Sequence, residues 1–405
     1  VICAALASGT STLRGILESE DTEVMIEAWQ QLGLKCHWNK VDQTLTIEGC
    51  DGSIEATGPQ RLFIANSGTS IRFLTAALAS LPCGDFVLDG VPRMRERPIG
   101  HLLDTLNQLG ANCHSQNEVD PTCPPVQIAA RGLEGGACRV AGTISSQYLS
   151  GVLMATPYAR SAVRIAVDGE LVSIPYVEMT EKVMKSFGVA VESDGTVFRV
   201  ASPTTYQACD YEIEPDASAA SYYFAAAAIT GGQVTVLGLD RNALQGDVGF
   251  CDVLEKMGCK VTYREGAIDL VGGPLQGIDV DMNAISDTVQ TLAAVALFAD
   301  GPTRVRGVAH NRHKETDRIG DLAVELRRLG AQVREFEDGL EISPAALTGT
   351  TIQTYNDHRM AMSLALVGLN VPDVWIDNPR CTDKTYPTFF EEFARVFSVE
   401  LSRRD

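Results

Sequence analysis

The sequence predicts an α+β chain of two similar domains, each built from three repeated α/β units, and three observations predict it. Five helix-like stretches end in a hydrophobic residue and a glycine: Leu32-Gly33, Leu109-Gly110, Phe187-Gly188, Met257-Gly258 and Leu329-Gly330. Those glycines lie 77, 78, 70 and 72 residues apart, a near-constant period that marks a repeat architecture. A strand-like run follows, as in Lys260, Val261, Thr262 and Tyr263, so each ending reads as a helix C-cap leading into a strand. Finally, 405 residues are too many for one ordinary core.

Taken in order, residues 1–7 are apolar without a basic flank or cleavage pattern, so they read as part of a helix rather than a signal peptide. Further strands are predicted over 44–48, 126–129, 197–200 and 339–342. Phe397-Ser398-Val399 is a weaker sixth helix ending, 68 residues after Gly330 and with serine in place of glycine. Three units fall before Glu214 and three after it, where Glu214, Pro215, Asp216, Ala217 and Ser218 lead into an alanine-rich helix over 219–229. The expected domains are therefore 1–213 and 214–405, and a cleft between them is the expected ligand site.

Composition removes several classes of function. No apolar run reaches the roughly 18 residues of a membrane span. The net charge of −19 opposes binding to nucleic acid or anionic membranes, so an anionic ligand must meet a local cationic cluster. Eleven cysteines, an odd number without a CxxC pair, fit neither a disulfide framework nor a zinc site. A reducing compartment, the cytoplasm, is expected.

Cations and small polar residues recur at helix starts. Asn66, Ser67, Gly68, Thr69, Ser70, Ile71 and Arg72 precede an apolar helix predicted over 73–79, where glycine and the helix dipole would accommodate a phosphate or carboxylate. Arg93, Arg95 and Arg97 form a patch before Pro98, which is suited to open the helix ending at Leu109. Gly142, Thr143, Ile144, Ser145, Ser146, Gln147 and Tyr148 offer hydroxyl and amide donors, as do Ser173 and Tyr176. Asp287 reads as the cap of an apolar helix over 289–298. In the run from His310 through Lys314, Glu315 and Asp317 to Arg318, Lys314 and Arg318 are four apart and so predicted on one helical face. Asn356, Asp357, His358 and Arg359 stand at the mouth of a helix over 361–369, and Lys384 lies in a turn before the last helix. Each segment alone is equally an ordinary cap or solvated turn. Their recurrence in both halves of an acidic chain points to a site for a multiply anionic substrate.

Together these segments resemble the enolpyruvyl transferase family over nearly the whole chain. The specific matches are 66–72, 92–100, 145–147, 173–176, 216–221, 244–247, 314–318, 356–360 and Lys384. The family's fold is two domains of three units in an inside-out α/β barrel, with the active site in the interdomain cleft. The resemblance implies transfer of the carboxyvinyl group of phosphoenolpyruvate to the 5-hydroxyl of shikimate 3-phosphate. Phosphate is released through a tetrahedral intermediate, on the shikimate pathway to chorismate and the aromatic amino acids. It assigns phosphoenolpyruvate to Gly68, Arg97, Gln147, Arg318, Arg359 and Lys384. Shikimate 3-phosphate falls to Ser145, Ser146, Gln147, Ser173, Tyr176, Asp287, His310 and Lys314. Asp287 is the implied proton acceptor, with Glu315 and Lys314 handling protons at the methylene carbon and the departing phosphate. No cofactor or metal is implied, the partners are these two small anions, and a monomer is expected.

Position 310 is His where many members have Asn, and Ser67, Ser70 and Phe73 replace the frequent Ala, Ala and Pro. The family's opening segment, with a Lys-Ser and then an Asn-Arg pair, is expected to precede Val1. Two alternatives stand beside this reading. One is the family branch acting on UDP-N-acetylglucosamine, opposed by the absence of cysteine from 90–98; the other is an inactive relative that only binds anions.

Overall fold

The computed structural model describes residues 1–55 and 58–402. The chain divides into two compact units, Val1–Ile213 and Glu214–Asp405, each with its own hydrophobic core.

The first unit contains three four-stranded sheets of one topology: an outer strand runs parallel to its neighbour, and two antiparallel strands follow. In the second of them Gln60–Phe63 lies parallel to Gly84–Asp89, which pairs with Val126–Ala130 and then Cys113–Ser115. The third is Gly136–Ala141, Val163–Asp168, Val197–Val200 and Val191–Ser193 in the same sense. The first sheet closes the unit on itself, because its outer strand, Asp210–Glu212, comes from the unit's far end to pair with Thr10–Arg14. Period-two burial sets the register: in Thr44–Glu48, Leu45 and Ile47 are buried while their neighbours are not.

Between outer strand and neighbour runs an inner helix, Gly68–Ser80 in the second sheet and Ser146–Ala155 in the third. Both are buried almost all round, as helices apolar on every side are. Gly151 allows them to pack closely, since a Cβ there would lie 3.3 Å from the carbonyl oxygen of Arg72. The outer helices Glu20–Gln31, Gly100–Gln108 and Ile174–Ser186 are amphipathic, each burying one apolar stripe and leaving the rest exposed.

The second unit repeats the plan. Asp279–Asp281, Thr303–Arg306, Gly339–Ser343 and Gln332–Phe336 make a sheet of the same order, beside a three-stranded sheet (Gln233–Leu237, Ala267–Val271, Lys260–Arg264) and the parallel pair Thr351–Ile352 and Trp375–Ile376. Its inner helices are Ala217–Thr230, Val289–Ala296 and His358–Ala365. They meet through hydroxyls, with Thr291 Oγ1 3.2 Å from both Ser221 Oγ and Ser363 Oγ.

All five predicted helix endings are present, and at each the glycine is left-handed, with φ from 86° to 113°. Ser398, the sixth, is left-handed as well, with φ 54°. Three local expectations need correction. The helix predicted over 73–79 begins at Gly68, inside the polar motif, because Ser67 Oγ accepts from Ser70 N and caps it there. Lys314 and Arg318 do not share a helical face, since the helix starts only at Gly320, where Asp317 Oδ1 accepts from the amides of Ile319 and Gly320. Nor does the Asp287 side chain cap Val289–Ala296; it is drawn to cations, whose charge-assisted bonds outweigh a neutral cap.

The glycine caps yield a paired prediction. Gly33→Ala meets nothing within 4 Å, so it should cost only the left-handed strain of about 1–2 kcal/mol. Gly258→Ala would also place its Cβ 2.5 Å from the backbone oxygen of Pro274 and should cost about 1–3 kcal/mol more. Urea unfolding of both variants tests this, and equal losses would show that the clash relaxes freely.

Candidate active site

The polar motifs sit at the N-terminal ends of the inner helices. In the first unit, Gly68 opens one such helix and touches Arg97: a Cβ on Gly68 would lie 2.3 Å from Arg97 Nη2. Arg97 is buried, and its Nη1 donates to the carbonyl of Asn66 at 3.0 Å. The other two arginines of the patch are engaged elsewhere. Arg93 pairs with Glu96 at 2.8 Å, and Arg95 grips Asp89 through two bonds of 2.9 and 2.6 Å. Of the three, only Arg97 is thereby brought to the glycine.

Gln147 is held from both sides. Its Oε1 accepts from Arg72 Nη1 at 2.6 Å, and its Nε2 donates to Thr69 Oγ1 at 2.9 Å. Arg72 also lies over the Tyr148 ring, 5.5 Å from its centroid, and Tyr148 donates to the carbonyl of Pro98. Arg72 and Thr69 are thus site residues absent from the predicted set, although both lie in the predicted motif. Ser145 caps the inner helix by accepting from Gln147 N at 3.3 Å, with Ser146 buried beside it. Ser173 and Tyr176 begin the adjacent helix, joined to the inner one by a 2.8 Å bond from Thr180 Oγ1 to Ser150 Oγ. Ser173 is left-handed, with φ 55°.

In the second unit the predicted residues form one network around Arg318, whose guanidinium is fully buried. Its Nε donates to Asp357 Oδ2 at 2.7 Å, Nη1 to Asp287 Oδ1 at 3.1 Å and Nη2 to Glu315 Oε2 at 2.7 Å. Arg359 Nη2 donates to Asp287 Oδ2 at 3.0 Å, Lys314 Nζ lies 3.6 Å from Asp287, and Lys384 Nζ lies 3.5 Å from Glu315. Asp357 has two parts here. It caps His358–Ala365, accepting from Arg359 N at 2.8 Å, and also carries the Arg318 ion pair. Asn311 ties the two halves of the network together, donating to the carbonyl of Ser286 at 2.9 Å and accepting at its own carbonyl from Arg318 N. The 216–221 and 244–247 segments lock one another: Ser218 bonds Asp247, and Gln245 accepts from Ala217 N.

The electrostatics follow from this packing. Burial alone would push the Asp287 carboxyl up, but Arg359, Lys314 and Arg318 outweigh it and hold the group well below the usual carboxylate range. Burial opposes charge on Arg318 too, yet Asp357, Glu315 and Asp287 raise it further still. Around it, Arg318, Arg359, Lys314 and Lys384 oppose Asp287, Glu315 and Asp357, leaving an excess of positive charge for an anion. His310 and His358 are buried and neutral. Burial, with Lys314 nearby, pulls His310 down to about 4, and burial, Lys384 and Arg359 hold His358 well below its ordinary value.

Both histidines make stability pH-dependent in one direction. Their unfolded pKa is about 6.5, so below it the unfolded chain binds protons that the folded chain refuses. Stability is full above that value and should fall as pH drops toward 4, before the depressed Asp287 begins to titrate. His310→Asn should flatten the pH dependence of the unfolding free energy between pH 6.5 and 4.5, by up to about 1.4 kcal/mol per pH unit. Parallel wild-type and variant profiles would show that His310 is not held neutral.

The EPSP synthase (3-phosphoshikimate 1-carboxyvinyltransferase) family model matches residues 1–393. The 3-phosphoshikimate 1-carboxyvinyltransferase of Serratia proteamaculans is 46% identical over 399 residues, 98% of this chain and 92% of the relative. That of Sulfurovum is 44% identical over 402 residues, 98% and 93% of the two chains. The solved EPSP synthase of Acinetobacter baumannii superposes with a TM-score of 0.80 at 26% identity, covering 97% of this chain and 91% of that one. With its repeated units and the cationic motifs at their inner helix ends, the chain belongs to the EPSP synthase family.

Proposed function

We propose that the residues gathered at the inner helix ends carry out the family's reaction on this chain, transfer of the carboxyvinyl group of phosphoenolpyruvate to the 5-hydroxyl of shikimate 3-phosphate with release of phosphate. The observation that carries this reading is the Arg318 network: a buried carboxylate that can accept a proton, ringed by guanidinium and ammonium groups that can grip a phosphate and a carboxylate. Phosphoenolpyruvate is assigned to Gly68, Arg97, Gln147, Arg318, Arg359 and Lys384. Shikimate 3-phosphate is assigned to Ser145, Ser146, Gln147, Ser173, Tyr176, Asp287, His310 and Lys314. The net charge of −19 and the cysteines, none of them disulfide-bonded among the described residues, support a monomer acting in the cytoplasm without nucleic acid.

In the addition step the 5-hydroxyl gives its proton to Asp287 as its oxygen bonds to C2 of phosphoenolpyruvate. The methylene carbon takes a proton from Glu315 or Lys314, giving the tetrahedral intermediate. In the elimination step the methyl carbon returns a proton to the residue that supplied it, the C2–O bond to phosphate breaks, the enol ether forms, and the proton held on Asp287 leaves with the phosphate. Asp287 is a weak base while Arg318 and Arg359 both bond it. An arriving phosphate and carboxylate draw those guanidiniums away, so substrate binding itself restores its basicity. Proximity and fixed charge then supply the acceleration.

Asp287→Asn should lower stability, because it removes a partner of Arg318 and Arg359, yet leave a folded protein whose turnover falls by roughly 10²–10⁴. Phosphate release beside a thermal melt tests it, and near-normal turnover would remove Asp287 from the mechanism. Gly68→Ala should raise the KM for phosphoenolpyruvate by about tenfold or more, because its Cβ must displace the Arg97 guanidinium, and a lost charge-assisted bond costs about 1.5–3 kcal/mol. The KM for shikimate 3-phosphate should move little; equal changes for both substrates would overturn the Arg97 assignment.

A further inference from the structure

Glu325 lies outside every assigned ligand set, yet its carboxylate is completely buried. It stands on the helix Gly320–Arg328, which begins two residues after Arg318. Its partner Arg328, at 2.8 and 2.9 Å, has a side chain 37% exposed and could satisfy itself with water, so that ion pair alone does not explain a fully buried acid. The other two bonds run to the chain just ahead of Arg359. Glu325 Oε2 accepts from Gln353 N at 3.0 Å and Oε1 from the Tyr355 hydroxyl at 3.0 Å.

That segment is costly to hold. Tyr355 and Asn356 are consecutive non-glycine residues in the left-handed region, with φ 52° and 57°, a conformation that persists only where the surroundings enforce it. Immediately after them comes Asp357, which caps the inner helix and carries Arg318, and then Arg359. Asn356 Oδ1 also accepts from Asn378 Nδ2 at 3.0 Å, and Asn378 precedes the 3-10 turn Pro379–Lys384 that ends in Lys384. One strained turn therefore connects to Arg318, Arg359 and Lys384.

We propose that Glu325 is a positioning residue for phosphoenolpyruvate binding, acting by clamping the left-handed turn 353–356 that sets Asp357, Arg359 and, through Asn378, Lys384. It touches no substrate. The inference rests on the assignment of phosphoenolpyruvate to Arg359 and Lys384. A purely structural acid would lower stability alone, whereas a positioning residue separates the two substrates kinetically.

The test is steady-state phosphate release by Glu325→Ala, Glu325→Gln, Tyr355→Phe and Arg359→Ala, each substrate varied in turn, alongside thermal melts. Glu325→Ala should raise the KM for phosphoenolpyruvate about tenfold while that for shikimate 3-phosphate stays within about twofold. Glu325→Gln, which keeps an acceptor oxygen for the turn, should recover most of the loss. A folded Glu325→Ala with a lower melting temperature and both KM values unchanged would overturn the proposal. If that variant does not fold, Tyr355→Phe decides: a several-fold rise confined to phosphoenolpyruvate supports the clamp, and no change refutes it. An Arg359→Ala variant with an unaltered KM for phosphoenolpyruvate would instead refute the ligand assignment beneath it.

Discussion

The guanidinium of Arg318 is the interaction on which the second unit's chemistry depends. Three carboxylates from separate stretches of chain, Asp287, Glu315 and Asp357, converge on one buried cation. None of the four groups is stable there alone, because an ion without its partner in the interior costs several kcal/mol. Removing any member leaves the rest uncompensated by about 3–5 kcal/mol, so the arrangement is held together by its own desolvation. The three carboxylates occupy the guanidinium's nitrogens in fixed directions, and Arg359, Lys314 and Lys384 are drawn in around them.

The fold was legible wherever a local physical rule acted alone. A glycine after a hydrophobic residue at a helix end must adopt a left-handed conformation, and Gly33, Gly110, Gly188, Gly258 and Gly330 do. Strands read from period-two burial, such as Thr44–Glu48, appeared for the same reason. Legibility failed where a distant partner decided. Spacing of four places Lys314 and Arg318 on one helical face, but Asp317 caps a later start, and the cations approach their carboxylates from irregular chain instead. Asp287 resembles a cap in sequence because its competing partners, Arg318 and Arg359, are 31 and 72 residues away.

The same distinction separates the arginines of the first unit. Arg93, Arg95 and Arg97 are equivalent by composition, and only the fold shows that Glu96 and Asp89 take two of them. Arg72 and Thr69 stood in the predicted motif but not among the predicted ligands, since their part is to hold Gln147, whose partners in space come 75 and 78 residues earlier. Such positioning contacts have no local signature. A dual role such as that of Asp357, cap and ion-pair partner at once, is legible only in its first half.

The repeated architecture explains why an acidic chain can hold two anions. Each unit buries its inner helices almost completely, which brings their N-terminal amides and the flanking cations to shared ends where water is scarce. In that environment the balance of charge within a few ångströms outweighs the net −19 carried by the solvated surface, whose field salt screens within about 10 Å. The local excess is kept small by Asp287, Glu315 and Asp357, so the fold tolerates the cations packed together there. An anion approaching Arg318 and Arg359 would compete with Asp287 for the same guanidiniums, and the base role proposed for Asp287 rests on that competition. On the proposed mechanism binding and base activation would be one electrostatic exchange, which requires what the network has, more cations than carboxylates held within ion-pair distance of one another.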